Sequence, residues 1–202
     1  GDDLRADLLE PLEALARHAF GENGDGGAIT TNDDQLAAQL RMVANHGQSQ
    51  RYYHDVVGCN SRLDTIQAAV LEIKLKKLDE YIDARRKVAD FYDAAFAGNS
   101  KITTPYRAEY CKHVFHQYTL VLDGVDRNGL NEHLAQNDIP SMIYYPVPAH
   151  RQKMFDAFGG SNFDLPITDW LTERVISLPI HTELDNEQQD FIIKAVLEFV
   201  NK

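Results

Sequence analysis

The sequence of 202 residues predicts an α/β protein, and three features carry that prediction. Apolar residues recur at helical spacing over residues 63–96, a length that often bridges two lobes of a protein. After Gly98, short runs rich in β-branched and aromatic residues alternate with helical runs, as in a small sheet covered by helices. The composition, with 44% hydrophobic and 25% charged residues, is typical of a globular chain.

The N-terminal residues predict a helix, a turn and a strand. Over residues 4–20 four leucines recur at three- and four-residue spacing, which predicts an amphipathic helix. Pro11 lies inside this pattern and predicts a kink or a later helix start. Glycines predict a turn over residues 21–27, and a short strand is expected over residues 28–31.

A second helical pattern follows, with Asn32 or Asp33 as its candidate N-cap. This helix is expected to end near Gly47, because glycine suits the left-handed residue that stops a helix. Residues 48–62 are polar and aromatic and show no clean period. Loops of this kind often carry function rather than packing.

Three segments are therefore expected: residues 1–62, a long connecting helix over residues 63–97, and a small α/β domain over residues 98–202. In the last segment the expected strands are residues 101–104, 114–122, 141–145 and 175–178, and the expected helices are residues 129–136, 168–174 and 186–200.

Charge and composition exclude several classes of function. The formal net charge is −11 and no basic patch is visible, so nucleic acid is not expected as a partner. No apolar run approaches the roughly 18 residues of a membrane span, and the first residues do not resemble a signal peptide. Cys59 and Cys111 lack zinc or redox spacing, which favours a reducing, cytoplasmic location.

The glycine-rich motif over residues 24–27 is ambiguous. It could cradle a phosphate, but a Walker loop needs a lysine where Ala28 stands, and a dinucleotide fingerprint follows a strand rather than preceding one. Taken alone, a plain tight turn is the better interpretation. The histidines are mostly scattered, so no metal site is predicted, and no Gly-x-Ser-x-Gly motif indicates a serine hydrolase.

Two segments concentrate groups that can bind a ligand. Residues 46–62 gather cations, phenols and amides, which suit an anionic, hydroxyl-rich ligand. Residues 144–150 follow a predicted strand and contain two prolines that stiffen the chain before His150. A solvated loop in the first segment and a structural turn in the second explain the residues equally well, so both interpretations stay open.

Taken in chain order, these motifs resemble the DegT-type sugar aminotransferases. The resemblance rests on Gly24-Asp25-Gly26-Gly27-Ala28-Ile29, Asn45-His46-Gly47-Gln48, Arg51-Tyr52-Tyr53-His54, Gly58-Cys59-Asn60-Ser61-Arg62, Tyr144-Tyr145-Pro146-Val147-Pro148-Ala149-His150 and Ser177-Leu178-Pro179-Ile180-His181. Each motif alone is weak, but the shared order runs through most of the chain. The branch that the sequence is most similar to makes amino sugars on nucleotide carriers for surface polysaccharides.

The resemblance implies a partial fold-type-I transferase that uses pyridoxal 5'-phosphate (PLP). Residues 1–62 would be a remnant of the large domain with a dimer and active-site loop, joined by the long helix to the small C-terminal domain. Such enzymes are homodimers whose active sites use both subunits. By this resemblance Asn60 reaches the cofactor phosphate, Arg62 meets an acidic substrate group such as a uronic acid carboxylate, and Tyr144, Tyr145 and His150 line the sugar pocket.

The sequence departs from the family at the lysine that forms the Schiff base. In the family this lysine lies a few residues before the Gly-Asp-Gly-Gly motif, but the first lysine here is Lys74. In one register His18 takes the lysine's place, as in a few relatives that are deoxysugar dehydratases. In a second register, which explains more residues and which we adopt, His18 matches a residue that stacks on the cofactor ring.

Three functions follow as expectations. The leading one is a PLP-dependent aminotransferase acting on a nucleotide-linked keto sugar, with glutamate as amino donor. The first alternative is a catalytically incompetent fragment or small-lobe protein without the Schiff-base lysine. The second is a deoxysugar dehydratase with His18 as its base.

Overall fold

The computed structural model describes residues 27–202, which divide between residues 80 and 81 into two compact units. The predicted helix over residues 4–20, most of the predicted turn and His18 lie outside the described residues. Among the residues that the structure does describe, no helix is both long enough and apolar enough to cross a membrane.

The first unit opens with helix α1 (Asp34–Ala44). Asp33 caps it, because its side chain accepts hydrogen bonds from the backbone N–H groups of Gln35 and Leu36. The helix ends at Ala44, near Gly47 as predicted; Gly47 has φ +75° and its N–H donates to the Met42 carbonyl. The strand predicted over residues 28–31 is wrong: these residues pair with no other backbone in the described part of the chain.

A small hairpin follows, with antiparallel strands β1 (Gln48–Gln50) and β2 (Tyr53–His54). Tyr52 in the turn has φ +73°, in the left-handed region that non-glycine residues rarely adopt. The aperiodic sequence of this segment gave no sign of a hairpin. Residues 55–64 then lead to helix α2 (Thr65–Leu75).

The long helix expected over residues 63–97 is two helices, α2 and α3 (Leu78–Phe96). At the break the Lys77 N–H donates to the Lys74 carbonyl over 3.0 Å. Donor and acceptor are three residues apart here, as in a 3₁₀ helix, instead of the four residues of an α-helix. No glycine or proline marks this point, and lysine favours helices, so local propensity gives no signal for the break. The boundary between the two units falls inside α3.

The second unit is built on a three-stranded antiparallel sheet in the order β3 (Ile102–Thr103), β4 (Tyr118–Leu122), β5 (Val175–Leu178). Tyr118, Leu120 and Leu122 alternate along β4 and are fully buried, so one face of the central strand faces the core. The strand is shorter than predicted because Phe115, with φ +50°, leaves the extended conformation before it.

Helices α3, α4 (Arg127–Gln136) and α6 (Asn186–Val200) supply most of the rest of this core, together with Phe115 and Ile139. The buried helical residues are Val88, Ala89, Tyr92 and Phe96 from α3, Leu130 and Leu134 from α4, and Ile192, Ile193, Ala195, Val196 and Val200 from α6. Their burial against the sheet makes a mixed α/β domain, as the sequence predicted.

A connecting region lies between α4 and β5. It contains three short 3₁₀ helices (Ala149–Arg151, Lys153–Phe158, Gly160–Asn162) and helix α5 (Pro166–Thr172). The strand predicted over residues 141–145 is reduced to one bridge, in which Met142 exchanges two hydrogen bonds with Ser177. The prolines at 140, 146 and 148 donate no backbone hydrogen bond, so pairing cannot extend far in either direction.

Candidate functional site

In the first unit, two glycines allow the chain to cross itself at very short range. A Cβ on Gly47 would lie 1.8 Å from the Val56 carbonyl oxygen, and a Cβ on Gly58 would lie 2.1 Å from the Gly47 nitrogen. Only glycine fits at either position. The crossing places residues 59–61 against the end of α1, where the N–H groups of Cys59 and Ser61 donate to the Val43 and Ala44 carbonyls.

This crossing presents Asn60 and Arg62 together. The Arg62 Nε donates to the Asn60 Oδ1 over 2.8 Å, and both side chains are exposed. The bond orients the Asn60 amide so that its NH₂ group faces away from Arg62. An amide NH₂ beside a guanidinium suits the oxygens of a phosphate or a carboxylate.

Other polar groups of this segment hold the hairpin together. The His54 Nδ1 lies 2.8 Å from the His46 carbonyl oxygen, so Nδ1 carries the proton and donates it. Its Nε2 then accepts from the Gln48 amide at 3.4 Å. The Arg51 guanidinium lies 5.0 Å from the centre of the Tyr52 ring, a cation–π distance. These groups therefore have structural partners within the loop.

In the second unit, the other predicted segment lines an open groove of about 260 Å³. One wall is formed by Tyr144, Tyr145, Val147, Pro148 and Ala149, and the other by Thr168, Leu171, Thr172 and Val175. The two phenol rings stand edge to face, with centres 5.7 Å apart, and Tyr145 is 71% exposed. Phenols and threonine hydroxyls on an apolar base suit a ring that carries hydroxyl groups.

Hydrogen bonds fix both walls of the groove to the sheet. On one side, Met142 pairs with Ser177 of β5, whose hydroxyl bonds the Thr119 hydroxyl of β4 over 2.8 Å. On the other, the Arg127 guanidinium donates to the carbonyls of Thr172 and Val175 at 3.1 and 3.3 Å. The tyrosine segment is thus attached to a rigid element, although it is not itself a strand.

His150 lies just beyond the lining residues of the groove. Its side chain is 9% exposed, and its Nε2 lies 3.7 Å from the Asp169 Oδ1. Among the described residues this buried nitrogen has no hydrogen-bond partner. Arg151 binds both oxygens of the same carboxylate, and this hydrogen bonding lowers the pKa of Asp169 below its usual value.

Arg85 anchors two loops that carry motif residues. Its Nη1 donates to the carbonyls of Phe115 and His116 on one loop and of Ile180 on the other, at 3.1 to 3.3 Å. Burial lowers the pKa of the Arg85 guanidinium. Sequence reasoning missed Arg85, Arg151 and Asp169, because an isolated charge on a helix or a turn usually indicates a solvated surface.

The structure thus places the predicted site residues in two groups. Asn60 and Arg62 form a bonded pair in the first unit. In the second, Tyr144 and Tyr145 line the groove, and His150, which is not a lining residue, contacts Asp169. The roles assigned to these five residues remain predictions, as does the role of His18.

A comparison with family models matches residues 16–197 to the DegT/DnrJ/EryC1/StrS aminotransferase family. Among curated relatives, the pleiotropic regulatory protein of Geobacillus stearothermophilus is 40% identical, over 89% of this chain and 48% of its own length. The UDP-N-acetyl-3-dehydro-α-D-glucosamine 3-aminotransferase of Acidithiobacillus ferrooxidans is 42% identical, over 84% of this chain and 44% of its own length.

Among solved structures, DesV of S. venezuelae superposes with a TM-score of 0.82 at 37% identity. The superposition covers 89% of this chain and 48% of DesV. The chain therefore spans about half the length of the relatives it matches.

Proposed function

The chain belongs to the DegT/DnrJ/EryC1/StrS aminotransferase family, and from that premise we propose that it serves a PLP-dependent transfer of an amino group to a nucleotide-linked keto sugar. The observation that carries the proposal is the family match over residues 16–197, which includes both the Asn60–Arg62 pair and the tyrosine groove. Glutamate as amino donor, a product for surface polysaccharide and a cytoplasmic homodimer complete the proposal.

The donor chemistry at Asn60 fits the phosphate end of the cofactor. The amide NH₂ faces outward because Arg62 holds the carbonyl oxygen of the same side chain, and both groups donate only N–H to an anion. PLP, when bound, supplies the electron sink that lets an amino group move between donor and acceptor carbons. The proposal assigns the Schiff-base lysine to a residue outside this sequence, since the first lysine here, Lys74, lies on α2.

The groove fits the sugar part of the substrate. The phenol hydroxyls of Tyr144 and Tyr145 can donate to and accept from sugar hydroxyls, and Val147 and Pro148 exclude water from the apolar face of the ring. The contacts of the groove would orient the sugar for transfer. Separately, the Arg62 guanidinium suits a bidentate contact with a carboxylate such as that of a uronic acid.

The test is amino transfer by the natural full-length protein, supplied with PLP, glutamate and a UDP-linked 3-keto sugar. Mass spectrometry should detect an amino sugar only when all three are present. Tyr145→Phe should raise KM more than it lowers kcat, because one hydroxyl contact to the bound sugar is lost. Tyr110→Phe is the matched control, since this tyrosine is 93% exposed and does not line the groove. No keto-sugar-dependent turnover would refute the proposal.

A second candidate is a chain that binds but does not catalyse. Within residues 1–73 of this sequence no side chain can form a Schiff base with the cofactor. The intact mass of the natural protein separates the two candidates. A mass of 22.9 kDa supports the second, and a mass of about twice that value supports the first.

A further inference from the structure

We propose that Asp169 is a positioning residue of the groove: its carboxylate, held by Arg151, sets the tautomer and direction of His150 and links the two walls. The link to substrate binding rests on the function proposed above. The effect on His150 follows from the geometry of this chain alone, so the two can be tested separately.

The first observation is a buried nitrogen that faces a fixed charge. The His150 side chain is nine-tenths buried, its Nε2 has no hydrogen-bond partner among the described residues, and Asp169 Oδ1 is 3.7 Å away. An unsatisfied buried nitrogen costs free energy. A small closure of this gap, to ordinary hydrogen-bond distance, would satisfy it.

The second observation is that the carboxylate has little freedom to turn. Arg151 donates from Nε to Oδ1 at 2.9 Å and from Nη2 to Oδ2 at 2.5 Å, a two-pronged contact that fixes the plane of the carboxylate. The pKa of Asp169 is lowered chiefly by this contact, so the group stays ionised. An ionised carboxylate only accepts hydrogen bonds.

These two facts determine the state of the imidazole. Next to a fixed acceptor, neutral His150 is most stable with its proton on Nε2, which leaves Nδ1 as the acceptor. A partner of this kind commonly sets the tautomer and the ring direction of a histidine. The consequence is that Nδ1 is left as the acceptor nitrogen of the His150 ring.

The same carboxylate joins the two walls of the groove. Asp169 lies in the first turn of α5, between Thr168 and Leu171, which form one wall. His150 and Arg151 directly follow Ala149, the last residue of the other wall. The contacts of Asp169 with these two residues therefore fix the separation of the walls.

The experiment measures the tautomer of His150 by ¹⁵N NMR of the full chain, at a pH that keeps imidazoles neutral. His150→Gln assigns the signal. In the unaltered protein we expect the Nε2–H form. Asp169→Asn should lower the ratio of Nε2–H to Nδ1–H by about tenfold, the scale of one charge-assisted hydrogen bond. Asp169→Glu, which keeps the carboxylate, should restore part of that ratio even if the asparagine variant folds poorly.

Asp164→Asn is the matched control, because Asp164 is an exposed carboxylate near Arg151 that makes no hydrogen bond to it among the described residues. It should leave the His150 tautomer unchanged. An unaltered tautomer in Asp169→Asn, or the same change in Asp164→Asn, would overturn the proposal. If the tautomer responds as expected but no nucleotide sugar binds, the positioning role stands and the proposed function fails.

Discussion

At the scale of single residues, the crossing of Gly47 and Gly58 determines where Asn60 stands. Both glycines were visible in the sequence, and Gly47 was predicted as a helix stop. Their mutual contact was not predictable, because it joins residues 11 positions apart in a segment with no period. Asn60 and Arg62 were found only because they belong to a recognisable motif.

We expect Gly47→Ala to open this loop. The added Cβ would meet the Val56 carbonyl at 1.8 Å in addition to the strain of a positive φ, a combined cost of roughly 3 kcal/mol. Hydrogen exchange of the Ser61 amide, which is bonded to Ala44, reports the opening. Gly98→Ala is the control: its φ is +78° but its Cβ would meet nothing within 4 Å, so it should cost about 1 kcal/mol and leave Ser61 protected.

At the scale of elements, local sequence signals predicted helices better than strands. Helix α6 begins and ends at the predicted residues 186 and 200, because a capping residue and a strong apolar period mark it. The prediction of a strand over residues 141–145 was wrong, because strand formation depends on a partner that the local sequence does not show. The break between α2 and α3 was not predicted, because no residue in the local sequence marks it.

The N-terminus of α6 has a capping box and that of α2 has no side-chain cap, which predicts different effects of removing the two N-cap residues. The Asp185 side chain accepts from the Gln188 N–H at 2.8 Å, and Gln188 accepts from the Asp185 N–H at 3.1 Å. Asp185→Ala should therefore lower the free energy of unfolding by about 1 kcal/mol. Asp64→Ala is the control, because Asp64 precedes α2 without any side-chain cap bond. Urea unfolding compares them, and equal effects of the two changes would contradict the role of the box.

The contact between Asp169 and Arg151 predicts a dependence on acid. Because the folded pKa of Asp169 lies below its unfolded value of about 3.9, the contact stabilises the protein fully above that pH. The stabilisation is lost as the pH falls through the folded pKa. At neutral pH the free energy of unfolding of Asp169→Asn should therefore be lower than that of the unaltered protein. The difference should shrink below about pH 4. A difference independent of pH would show that the charge is irrelevant.

At the scale of the whole molecule, the first unit leaves apolar side chains uncovered. Every described residue of α1 and α2 is at least partly exposed, and Ile66 and Ile73, seven residues apart on α2, are 81% and 68% exposed. Apolar surface of this kind commonly marks a contact with another chain. The proposed homodimer would cover it.

We expect the double change Ile66→Lys and Ile73→Lys to weaken self-association, because two charges would lose hydration at the contact. Light scattering over a range of concentrations measures the mass. Ile167→Lys is the matched control, since Ile167 is 74% exposed but lies on α5 of the second unit. A dimer that is equally stable in all variants would show that α2 does not form the contact.

The family itself was predictable from sequence, whereas the way the groove is held was not. The motifs around Asn60 and Tyr144 occur in family order and were enough to identify the aminotransferase resemblance, which the match over residues 16–197 confirms. The contacts of Asp169 and Arg85 join residues between 18 and 95 positions apart. Such pairings arise from tertiary packing, which no local period shows.

Amino transfer by the natural full-length protein tests the proposed function most directly. With PLP, glutamate and a UDP-linked 3-keto sugar, we predict an amino sugar whose formation depends on each component and whose KM rises in Tyr145→Phe but not in Tyr110→Phe. A folded, cofactor-supplied protein that forms no product from any keto sugar tested would contradict the function proposed for this chain.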